Sequence, residues 1–62
     1  MATAAEQVFK PYLTIRYPGP NPDEPFEVVR YIEPYRYQVL ASAATQEEAY
    51  QRLEVILVRE AA

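Results

Sequence analysis

The sequence predicts an α+β domain: a three-stranded antiparallel β-meander with one C-terminal α-helix packed on one face, in the order β-β-β-α. Three observations carry this expectation. The period of the apolar residues changes at Thr45, from the alternation of a strand over residues 35–42 to the helical repeat of residues 46–60. Thr45 with Glu48 is a capping box: the threonine oxygen accepts from the Glu48 backbone N–H, and the carboxylate reaches back. Two further alternating runs, residues 8–17 and 26–33, come before, set apart by prolines.

Residues 1–6 read as a small-residue tail that frays, or as part of a short helix over residues 2–8 built on Ala, Glu and Gln. In the first strand Leu13, Ile15 and Tyr17 alternate with Tyr12, Thr14 and Arg16, and Phe9 shares the parity of the first set. Pro11 cannot donate to a ladder, which places this strand at an edge or puts Pro11 at its beginning. Residues 18–25 hold four prolines in eight positions, so they form a loop with polyproline-II character. That loop is either a stiff connector or a docking segment for an aromatic groove.

The second strand, residues 26–33, points Phe26, Val28 and Ile32 inward. Arg30 shares their side, close to an edge or snorkelling, while Glu27, Val29, Tyr31 and Glu33 face out. Glu33-Pro34 marks a tight turn. The third strand then places Tyr35, Tyr37, Val39 and Ala41 on the inner side and Arg36, Gln38 and Leu40 on the outer. With these parities Lys10 and Arg16, Glu27 and Glu33, and Arg36 give basic, acidic and basic strands side by side, which favours the order 1-2-3. The helix carries Ala49, Leu53, Ile56 and Leu57 as a stripe with Tyr50 beside it, and Glu48 and Arg52 stand in acid-before-base order. The expected core is Leu13, Ile15, Phe26, Val28, Val39, Leu53, Ile56 and Leu57.

Sixty-two residues hold one domain, residues 1–62, with too little chain to bury a large core. There is no cysteine and no histidine, so disulfides, the usual zinc ligands and thiol or imidazole catalysis are all excluded. Ser42 is the only serine and has no histidine to take its proton. The densest acidic cluster, Asp23, Glu24 and Glu27, matches no calcium loop, and the single glycine cannot build a phosphate cradle. No catalytic residue, metal or cofactor is therefore expected. A net charge of −3 disfavours nucleic acid and anionic lipid as partners. No apolar run approaches the roughly 18–20 residues of a membrane span, and the start lacks the pattern of a signal peptide, so the expectation is a cytoplasmic protein without a membrane.

What remains is a surface. Tyr12, Val29, Tyr31 and Leu40 are expected outward on the sheet among Arg16 and Arg36, a composition typical of interaction hot spots. The bland reading is that tyrosines tolerate water and favour strands. Val55 and Val58 fall off the buried helical stripe and suggest a subunit contact, and a free edge strand offers strand addition. The expectation is thus a non-enzymatic protein-interaction module, a homo-oligomer or the subunit of a complex. Its candidate contacts are Tyr12, Arg16, Val29, Tyr31, Arg36, Leu40, Val55 and Val58. The alternative is a nucleic-acid binder using Tyr12, Arg16, Tyr31 and Arg36.

The run Tyr37-Gln38-Val39, together with Thr45-Gln46-Glu47-Glu48-Ala49-Tyr50-Gln51-Arg52-Leu53, resembles the last strand and helix of small three-strand-plus-helix domains. The arm-binding domains of phage-type integrases, which read DNA with the sheet, are one such group. Their sheets are strongly basic with glycine in the turns. Here Glu27 and Glu33 lie on the sheet and the only glycine is Gly19, so the resemblance implies topology and not DNA binding.

Overall fold

The computed structural model describes residues 9–62, and the readings made for the tail and for Val8 lie outside them. Three strands, β1 (Tyr12–Arg16), β2 (Phe26–Glu33) and β3 (Arg36–Ala43), form one antiparallel sheet in the order β1-β2-β3, and helix α1 (Gln46–Ala61) packs across one face. The β-β-β-α architecture is the one the sequence predicts. No helix among the described residues is long and apolar enough to cross a membrane.

β1 is shorter than its alternating run. Pro11 has no N–H to give a ladder and stands just before it, while Tyr17 leads into a cis Pro18. Five successive pairs then join β1 to β2 without interruption, from Tyr12 opposite Tyr31 to Arg16 opposite Glu27.

The β2–β3 hairpin departs from the expected pattern in two places. Glu33 pairs with Arg36, so Tyr35 belongs to a two-residue loop with Pro34 and not to the strand. No described residue has positive φ, which rules out the primed turns whose twist matches a hairpin. An extra residue on β2, Ile32, breaks the register beside that turn and takes up the mismatch.

The second departure changes the faces. Val28 pairs with Ala41 but Val29 pairs with Val39, leaving Leu40 as an unpaired bulge residue. One supernumerary residue inverts the parity of everything beyond it. Tyr37 and Val39 therefore share the outer face with Tyr31 and Val29, and Gln38 joins Arg30 on the side of the helix. Val39, expected in the core, is 52% exposed.

The core is small. Val28, Ala43 and Ala49 are fully buried, and Ile15, Phe26, Ala41, Leu53 and Ile56 pack around them. Alanines at 41, 43 and 49 leave room for the helix to approach the sheet closely. Leu13 is half-buried on β1 opposite Arg30. Arg30 ion-pairs with Glu60 near the end of α1, which is how a charged residue is accommodated on this side of the sheet. Leu57 was also expected in the core and is 50% exposed. It lies about 80° around the helix from Ala49, where the buried stripe has already ended.

At the start of α1 the Glu48 N–H donates to Thr45 Oγ1 at 3.2 Å. The Glu48 carboxylate accepts from the Ala44 N–H at 3.3 Å, one residue before the cap position that the capping box predicts. Arg52, expected beside Glu48, donates instead to the Ser42 carbonyl and ties the helix to β3.

Candidate interaction surface

The sheet face away from α1 is built by register. Pairing places Tyr12, Tyr31 and Tyr37 in one row across the three strands, Thr14, Val29 and Val39 in the next, and Arg16, Glu27 and Ser42 in the third. Neighbouring side chains on one face of antiparallel strands sit about 4.5–5.5 Å apart, within reach for rings to touch.

They do touch. Tyr12 and Tyr31 stack with centroids 5.2 Å apart and planes 22° from parallel. Tyr31 meets Tyr37 at 5.5 Å, tilted, and Phe9 extends the row beyond Tyr12 at 5.9 Å. Four aromatic rings thus run across the strands from the β1 edge to β3. The Arg16 guanidinium lies over the Tyr37 ring, 4.2 Å from its centroid, and donates to the Tyr37 hydroxyl. Since Arg16 stands on β1 and Tyr37 on β3, the pair bridges β2 above Val29, and Val29 is fully buried.

The far end of the face is occupied. Glu27 is only 7% exposed, with Arg16 3.8 Å away as its ionic neighbour. Gly19 packs directly on it: a Cβ added there would stand 2.7 Å from the Glu27 carboxyl carbon. The Gly19 N–H donates to the Pro25 carbonyl at 2.7 Å, closing the proline-rich loop, and Ser42 Oγ donates to Glu24 at 2.7 Å, fastening the loop to β3. The loop is therefore a lid over this end of the face, held by a residue size that only glycine supplies.

Of the residues singled out from the sequence, the fold brings Tyr12, Arg16 and Tyr31 together. Val29 lies among them but is sealed under its neighbours. Leu40 is the bulge residue, and Arg36 sits at the hairpin end, 3.2 Å from Glu33. Val55 and Val58 are exposed on α1, apart from the aromatic row. Phe9, Tyr37 and Val39 also belong to the surface, although the alternation of the sequence puts all three on the inner side; Phe9 precedes β1 and so escapes its parity. Their tyrosine and valine chemistry is visible in the sequence, but only the bulge turns residues 37 and 39 outward. The chain matches no protein-family model, and no curated protein and no solved structure matches it.

Proposed function

We propose that the chain is a non-enzymatic, cytoplasmic protein-binding module whose contact surface is the outer sheet face around Tyr12, Tyr31, Tyr37 and Val39. The observation that carries this reading is the aromatic row itself, left open on the face that α1 does not cover. Tyrosine presents a large amphipathic area at low entropic cost, and stacked tyrosines hold one another in place before a partner arrives. The described residues enclose no pocket, which suits a flat macromolecular partner better than a small molecule.

A protein is favoured over nucleic acid by the state of the arginines. Arg16 lies beside Glu27, Arg36 beside Glu33 and Arg30 beside Glu60. Each of these cations already has a carboxylate, and Arg30 lies on the helix side besides, so a phosphate backbone would find little uncompensated positive charge on a chain of net charge −3.

The test is capture from an extract of the source organism with wild-type and Tyr37→Ala baits, both shown folded by circular dichroism. A protein retained by the first and lost from the second supports the reading. Equal retention by both would remove the outer face. Binding of a single-stranded oligonucleotide that strengthens as salt falls to about 50 mM would replace the protein partner by nucleic acid.

A further inference from the structure

We propose that β1 is the place where a second copy of this chain joins, edge to edge and antiparallel, with the two-fold axis passing by Thr14. Three strands from each copy would then form one continuous sheet.

The two edges of the sheet differ. Among the described residues β1 pairs only with β2, in unbroken register over its whole length, so its other side presents a regular row of backbone groups that no described strand takes up. β3 carries the Leu40 bulge, a device that spoils regular pairing. Within Tyr12–Arg16 there is no proline, no lysine and no bulge. Pro11 before the strand and Pro18 soon after it bound the usable length to about five residues.

That short strand is complementary to itself. The antiparallel register that pairs all five residues sets Thr14 opposite Thr14, Leu13 opposite Ile15 and Tyr12 opposite Arg16. On the helix side two apolar pairs form. On the outer side the only charge of the strand stands opposite a tyrosine, not its own copy, and its guanidinium is already drawn inward over Tyr37. No like charges meet.

The helix adds area at the same edge. Arg52 reaches the Ser42 carbonyl, which fixes its side of α1 above β3. Tyr50 and Leu57 lie about 160° and 140° around the helix from Arg52, so they overlook the β1 edge. Both are half-exposed, and Tyr17, just past β1, is more so. A stable interface needs about 1,000 Å² or more in total, beyond what five paired residues bury alone, and these three side chains supply apolar surface where it is needed. The small core, with Val28, Val29, Ala43 and Ala49 as its fully buried apolar members among the described residues, gives such an association a thermodynamic reason. The proposal does not rest on the outer-face reading, whose test residue Tyr37 lies on the opposite edge strand.

The experiment is sedimentation equilibrium at about 50 µM, a concentration at which mass action favours association. The wild type is expected at twice 7.2 kDa. Thr14→Lys and Thr14→Glu each set like charges face to face and are expected at the single mass. An equal mixture of the two sets opposite charges face to face and is expected to restore the double mass. Because the chain has no cysteine, Thr14→Cys provides a near-isosteric second probe. Under mild oxidation it is expected to cross-link at least tenfold faster than Leu40→Cys. A wild type of single mass, a mixture that stays at single mass, or equal cross-linking rates would each overturn the proposal.

Discussion

The Arg16 guanidinium lies 4.2 Å from the centre of the Tyr37 ring, so that the two edge strands meet across the middle one and close over Val29. A valine on the face away from the helix is thereby as deeply buried as any residue of the core. The sheet has a thin second core, made of side chains that also form its exposed surface.

Removing either layer should be measurable. Val29→Ala is expected to lower stability by about 1.5–3 kcal/mol, since two buried methyl groups are lost and a small void remains. Arg16→Ala should cost about 1–2 kcal/mol through the lost ring contact and the water admitted to Val29. Urea unfolding measures both. If Val29→Ala leaves the midpoint unchanged, the second core is not there.

On the helix, Leu53 and Leu57 are chemically equal and unequally placed. Leu53 packs against Val28, Ala43 and Ala49, whereas Leu57 is half in water. Leu53→Ala is expected to cost about 2–5 kcal/mol, a large share of what a domain of this size possesses, and Leu57→Ala about 1 kcal/mol or less. Thermal unfolding of the two variants side by side decides it. Equal losses would mean that the helix sits rotated from the arrangement described.

The loop contact offers a coupled test. Gly19→Ala would bring a Cβ within 2.7 Å of the Glu27 side chain, which is itself buried and cannot swing away freely. The variant should lose about 1–3 kcal/mol, as overpacked sites do. In a Glu27→Ala background the same change should be nearly neutral. A double-mutant cycle with no coupling energy would show that the two residues do not share this contact.

Much of this fold is legible in the sequence because its signals are local. Thr45 and Glu48 announce the helix through a hydrogen bond three residues long, and prolines at 11, 18, 25 and 34 mark where strands start and stop. Parity and charge put Arg16 and Glu27 on the same face of neighbouring strands, and the register then sets them opposite one another. What is not legible is the bulge. Leu40 alternates with its neighbours as an ordinary strand residue does, and nothing in its chemistry says that it has no partner. Its place depends on how a hairpin with a proline turn accommodates sheet twist over several residues. Plain alternation therefore turns Tyr37 and Val39 inward, where the bulged strand turns both outward. The exposure of Leu57 escapes for a related reason: helical period gives the width of a stripe, but the sheet beneath decides how much of it is covered.

The fastening of Glu24 to Ser42 has a consequence for whatever approaches the tyrosines. It walls off one end of the platform, so a visiting segment aligned with the strands would collide with the proline loop after a few residues. The row of rings runs crosswise, from Phe9 and Tyr12 over Tyr31 to Tyr37. On the proposed reading, a segment bound along the ring row would lie athwart the sheet, its apolar groups spaced to match strands about 4.8 Å apart instead of residues along one of them.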